Sequence, residues 1–238
     1  MNLQHAEVIH PGHAHDVDLE DTFDFLNTDD TENGFPLEKL PTLDTALDWF
    51  VERGVIHTEG ADRLCQMAKE DPEDAERRLA HVHAVRGALR EVATAIVEQR
   101  SPAASALDTV NRALHARQVI ELVPSTAGPD GSCSVHVDHR HVGDPVDDAL
   151  ARLADPLVLE LTAGHPERIK ICDSDTCFWV FYDTSRTSRR RWCSMATCGN
   201  RAKAARHRAR ARSTTAATTS GPTVPTIEYG VDSEVAPL

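Results

Sequence analysis

Aromatic residues make up only 5% of this chain, so a core of any size must be assembled from aliphatic side chains. No apolar run approaches the roughly 20 residues that a membrane-crossing helix needs. Walker, G-x-G-x-x-G, H-E-x-x-H and G-x-S-x-G patterns are all missing from the sequence, which removes the familiar signatures of nucleotide, zinc-protease and serine-hydrolase chemistry. An enzyme is therefore not the expectation. The opening stretch MNLQHAEVIHPGHAHDVDLE lacks the apolar centre of a secretory signal, and a cytoplasmic, reducing location follows as the expectation.

What the chain has in abundance is acid, and the acid is unevenly spread. The net charge is −13 over 238 residues. Residues 1–167 hold thirteen Lys or Arg against thirty-two Asp or Glu, whereas residues 168–212 hold twelve Lys or Arg against three Asp. An acidic protein with one concentrated basic module meets a polyanion locally, at that module.

Four of the six cysteines lie in the same module, as Cys172-x4-Cys177 and Cys193-x4-Cys198 with fifteen residues between the pairs. Two close thiol pairs separated by a hairpin-length insert present four soft ligands to a tetrahedral ion. Two disulfides, or four unrelated core thiols, would leave the same letters. Equal pairs at zinc-ribbon separation in a reducing compartment favour one structural Zn²⁺ held by Cys172, Cys177, Cys193 and Cys198. Four thiolates close the coordination sphere, so the ion is a staple and not a catalyst. Cys177 to Asp183 reads as a strand pairing with Arg168 to Cys172. Phe178, Trp179, Phe181, Tyr182 and Trp192 read as a small core around the metal, or alternatively as a base-stacking platform.

After Cys198 the sequence turns to Ala, Arg and Lys, all strong helix formers. Over a helix from Arg201 to Arg212, Arg201, Arg208 and Arg212 make one stripe and Lys203, Arg206 and Arg210 another, with alanines between. Lacking any large apolar side chain, this helix has no means of entering a core. It binds nucleic acid, is solvated, or docks on the acidic remainder of its own chain. Candidate nucleic-acid contacts are Arg189, Arg190, Arg191, Asn200, Arg201, Lys203, Arg206, Arg208, Arg210 and Arg212. Asn200 and Arg201 are placed either to read bases or to cap the helix and brace the metal loop.

The run Asp183-Thr-Ser-Arg-x-x-Arg-Arg-x-Trp-Cys-Ser-Met-Ala-x-Cys-Gly-Asn-Arg201 with its basic helix resembles the CGNR zinc-finger family. Asp24-Phe-Leu-Asn-Thr28 and the Leu-Asp-x-x-Leu-x-Trp-Phe segment at 43–50 resemble the ABATE domain that precedes the finger in that family. The resemblance implies zinc on the four thiolates, DNA contact by the finger and a stress-induced transcriptional regulator of bacteria.

The remainder reads as an α+β fold that is mainly helical. Residues 1–18 are expected to be disordered. Leu19 to Thr28 is a first buried element, and Asp29 to Pro36 a polar turn. Thr42 caps a helix bearing Leu43, Ala46, Leu47, Phe50 and Val51, which Gly54 ends; Thr58 to Lys69 forms the next. Pro72 opens the longest helix, to about Gln99, with Ala75, Leu79, Val82, Val85, Leu89, Val92 and Ile96 as its stripe. On it His81 and His83 diverge, so they are not a metal pair. A helix from about Ala104 to Arg117 precedes a hairpin of 119–123 with 133–139; His136 faces away from His139 and His141, so the three read as solvated and not as a metal set. Pro145 starts a last helix, ended by Gly164 and Pro166. Cys65 and Cys133 are read as packed thiols.

The domains expected are thus 19–165, helical with a β-hairpin, and 166–212, a treble-clef-like four-cysteine finger ending in a basic helix. Residues 213–238 read as a disordered tail. The expected partner is DNA, with RNA left open by the sequence. A small-molecule ligand at the N-terminal domain and a homodimer are further expectations, and a membrane is not.

Overall fold

The computed structural model describes residues 17–32, 35–115, 118–124, 135–141 and 144–219; for 32, 118–124, 135–141 and 212–219 it describes backbone only. Seven α-helices and three two-stranded antiparallel hairpins make up these residues. None of the helices among them is long and apolar enough to cross a membrane.

Helix α1 (Leu19–Leu26) begins at a reciprocal cap: the Asp18 carboxylate accepts from the Glu20 and Asp21 amides, and that of Asp21 from the Asp18 amide. Asp18 is therefore ordered, and Val17 packs on the core, so the expected disorder stops short of both. Residues 1–16 lie outside the described residues. Strands β1 (Asp29–Glu32) and β2 (Phe35–Glu38) then pair, where the sequence reads only as a polar turn. Backbone pairing here is supported from elsewhere in the chain, Arg86 and Arg90 of a later helix reaching back to Glu38 and to the Asp29 carbonyl.

Helix α2 (Leu43–Glu52) starts at Thr42 as expected and stops before Gly54, whose φ of 64° a side chain would resist. Helix α3 is Thr58–Glu70 and helix α4 is Pro72–Val97, with Asp71 accepting from the Asp74 amide at its start. Val82, Val85, Leu89 and Val92 of α4 are buried, which makes it the spine of the domain. Arg86 is buried among them, 5% exposed, forming an ion pair with Glu38 and donating to Thr28 Oγ1 at 2.8 Å. Its neighbours lower the Glu38 pKa: burial opposes ionisation, but the hydrogen bonds from Arg86 and the Leu40 amide outweigh it.

Helix α5 (Ala104–Leu114) leads into β3 (Gln118–Pro124), which pairs with β4 (Val135–His141). The side chains of His136, His139 and His141, and Cys133 altogether, lie outside what is described. Cys65 is half-buried on α3, where burial and then Asp44 raise its pKa, as suits a packed thiol. Helix α6 (Pro145–Ala163) supplies Leu150, Leu153 and Leu157, all fully buried against α1 and α4. Thr22 of α1 closes the contact by donating to the Leu153 carbonyl at 2.9 Å.

Candidate metal centre and basic helix

Two short strands follow a single turn at Pro166–Arg168: β5 (Ile169–Ile171) and β6 (Val180–Tyr182), paired with Ile169 opposite Tyr182. They carry the first thiol pair. Cys172 directly follows β5, its amide donating to the Trp179 carbonyl at 2.9 Å, and the Cys177 amide donates to the Ser174 carbonyl at 3.0 Å. The chain then loops through 183–190 around the buried Asp183, whose carboxylate accepts from the Ser185 amide at 2.9 Å and the Arg190 amide at 2.7 Å. Those bonds outweigh the effect of burial and hold the Asp183 pKa below its usual range. Within that loop Ser188 adopts a left-handed φ of 48°.

The second pair is set by a wide helical turn, Met195–Gly199, capped by Ser194, from which helix α7 (Asn200–Thr219) departs. The letters Cys-Gly-Asn-Arg at 198–201 each do something local. Cys198 presents its thiol, and the Gly199 amide closes the turn on the Ser194 carbonyl at 3.0 Å. Asn200 donates to the Ala196 carbonyl at 3.0 Å, and Arg201 donates to Thr176 Oγ1, tying the second thiol pair to the first.

Folding gathers all four sulfurs, Cys172, Cys177, Cys193 and Cys198, within 4.8 Å of one another. Cys177 to Cys193 measures 3.7 Å and Cys193 to Cys198 3.8 Å between Sγ atoms. A disulfide would bring sulfurs to about 2.05 Å. A tetrahedron of thiolates about 2.3 Å from a zinc ion has edges of about 3.8 Å, which these separations match. The chemistry of the donor set agrees with the geometry. Burial pushes the Cys177 thiol up to about 11; burial and the neighbouring Cys172 and Cys177 raise Cys193 further. Cys198 moves the other way, hydrogen bonds from the other three thiols outweighing its burial. Four negative sulfurs this close need a cation between them, so one structural zinc fits here and binds with release of protons.

Of the five aromatics, Phe181, Trp179 and Trp192 line the thiol cluster, with the Arg190 guanidinium 5.0 Å above the Phe181 ring. Tyr182 turns to the main core instead, donating to Glu160 Oε1 at 2.7 Å, and Phe178 is exposed.

Sequence reasoning missed how the first thiol pair is held. Ile169 and Val180 belong to the main hydrophobic core, each 1% exposed. The buried amide of Asn27, just after α1, donates to the Val180 carbonyl and accepts from the Val180 amide, both at 2.9 Å, as a further strand residue would. Trp179 Nε1 donates to Asp30 Oδ1 at 2.6 Å, and Lys39 pairs with Asp30 at 2.7 Å while lying 5.1 Å from the Trp179 ring. Arg90 on α4 donates to the Phe178, Leu26 and Asp29 carbonyls. The available signal was Asn27 itself, an amide directly following the apolar Phe23-Asp-Phe-Leu26.

Arg190 donates to the Cys193 carbonyl at 2.6 Å, Arg191 pairs with Asp173 at 2.7 Å, and Asn200 and Arg201 brace the turn, so these four have partners inside the finger. Arg189, Lys203, Arg206, Arg208 and Arg210 are exposed as well, Arg206 also donating to the Ala202 carbonyl at 3.4 Å, and the Arg212 side chain lies outside the described residues. Helix α7 has the Cys198 turn as its principal neighbour and is exposed at 201 and from 203 through 211. It also runs to Thr219, so residues 213–219 of the expected disordered tail are helical. No Gly or Pro interrupts the sequence between Asn200 and Thr219, so the Ala- and Arg-rich helix meets no breaker as it runs on through Ser213 to Thr219. Residues 220–238 lie outside those described.

Comparison with known families agrees with this architecture. A family model for the CGNR zinc finger matches residues 168–211, and the ABATE model, described as "Putative stress-induced transcription regulator", matches residues 22–165. No curated protein matches the chain. With most of its length matched by the one model and its four-thiol centre by the other, the chain belongs to the ABATE family and carries a CGNR zinc finger.

Proposed function

We propose that the protein is a DNA-binding transcriptional regulator of a bacterial cytoplasm, acting by binding and not by catalysis. One observation supports this above the rest: the finger sends out an exposed helix whose described side chains are almost all alanine, arginine, lysine or histidine. The zinc, when bound, contributes structure only: it fixes the turn from which that helix starts. Arg201 and Asn200 hold the helix at that turn, and Lys203, Arg206, Arg208 and Arg210 carry charge outward to phosphates. Arg189, exposed on the preceding loop, is a further cation for the same partner. The helical N-terminal domain senses a ligand or pairs two copies, which would bring two fingers to one site.

Fluorescence anisotropy against salt tests the electrostatic part. Each phosphate neutralised adds about 0.9 to the slope of log affinity against log salt, so six engaged cations give a slope of about −5. A slope near zero contradicts the reading. Single-stranded RNA of equal length serves as the competitor: preference for it would assign the helix to RNA instead.

A further inference from the structure

The cations of α7 are not scattered around the helix. At 100° per residue, Arg201 and Arg208 fall on one edge, and Lys203, Arg206 and Arg210 fall about half a turn away. Between the edges run two narrow strips, Ala202, Ala205 and Ala209 on one side and Ala204 and Ala211 on the other. The helix is thus a ribbon with two charged edges and two thin faces. At 20 residues it is about 30 Å long.

A helix resting on a flat anionic surface uses one charged edge and leaves the other in water. Two opposite edges suit a groove with phosphates on both walls. The major groove of B-form DNA, about 12 Å wide, admits a helix of this diameter. The A-form groove of duplex RNA is too deep and narrow to do so. Alanine on the inward strip lets the helix axis approach the base edges, and long cationic side chains on either edge reach the two backbones.

We propose that α7 lies lengthwise in the major groove of duplex DNA, one alanine strip towards the bases and its two cationic edges on opposite phosphate strands. This rests on the DNA-binding reading and specifies its geometry. Arg201 is already engaged with Thr176 and sets the start of the first edge, so Arg208 leads that edge's contact and Lys203 and Arg206 lead the other.

The test uses the full-length, zinc-loaded protein and a mixed-sequence duplex about two helical turns long. Arg208→Ala/Arg212→Ala removes two cations from one edge and Lys203→Ala/Arg206→Ala two from the other, alanine preserving helix propensity in both. Each double variant is expected to reduce the salt slope by about 1.8, and by similar amounts. A duplex whose pyrimidines carry bulky C5 groups in the major groove is expected to bind at least about tenfold more weakly. One filled with a minor-groove ligand should bind unchanged. If only one edge lowers the slope, or if duplex RNA is bound with both edges engaged, the groove geometry is overturned while polyanion binding stands. If wild-type protein binds no duplex at all, the DNA-binding reading itself fails.

Discussion

The two ends of the finger are held in opposite ways. Its hairpin is part of the body: Ile169 and Val180 lie in the main core, Asn27 pairs with Val180 at both backbone groups, and Arg90 and Trp179 bridge the same seam. Its helix, by contrast, meets chiefly the turn that carries Cys198. The metal centre sits between them. A rigid body therefore aims a charged rod through one zinc-stapled joint, and damage on the body side should register as lost stability while damage on the helix side should register as lost binding.

The largest effect expected is from the joint itself. Structural zinc contributes on the order of 10 kcal/mol in small finger modules, so Cys198→Ser or a strong chelator should unfold the finger. Because Ile169 and Val180 leave the core with it, thermal melting of the whole chain, followed by circular dichroism, should fall as well. An unchanged main transition would show the hairpin to be a passenger. Next in size is Asn27→Ala, which strips partners from two buried peptide groups and should cost about 2–4 kcal/mol, read from urea midpoints. Zinc content measured in the same samples shows whether the seam or the metal fails first.

A smaller effect is tied to acid. Asp183, Asp30 and Glu38 all titrate below their usual values, hydrogen bonds outweighing burial in each case. A depressed folded pKa adds stability that is complete above the unfolded value of about 4 and is lost as pH falls through the folded one. The share of stability that these three carboxylates supply should accordingly be whole above about pH 4 and be lost below it, read as a fall in melting temperature. Asp183→Asn should flatten part of that drop. The smallest stability change belongs to the rod: Lys203→Ala/Arg206→Ala should move the urea midpoint by no more than about 0.5 kcal/mol while weakening DNA binding.

The sequence disclosed what is local. Thr42 as a cap, Pro72 as a helix opener, Gly54 as a stop and each close pair of cysteines are decided within a few residues of chain, and each stands in the structure. What it concealed depends on distant partners. Strand β1 is polar and β2 carries only Phe35, Pro36 and Leu37 as apolar residues; their pairing is supported by Arg86 and Arg90, some fifty to sixty residues on. Arg86 itself lies within an apolar stripe, where its charge gives no hint that Glu38 and Thr28 await it. The aromatic-rich run 178–182 was legible as a core, but not that Tyr182 and Val180 face one core while Phe181 faces another.

The most direct measurement adds zinc back to stripped, reduced protein while following DNA affinity and bound metal in one sample. A metal-fixed joint aiming a cationic helix predicts that affinity climbs with zinc and stops climbing at one ion per chain. Equal affinity with and without the ion would contradict it.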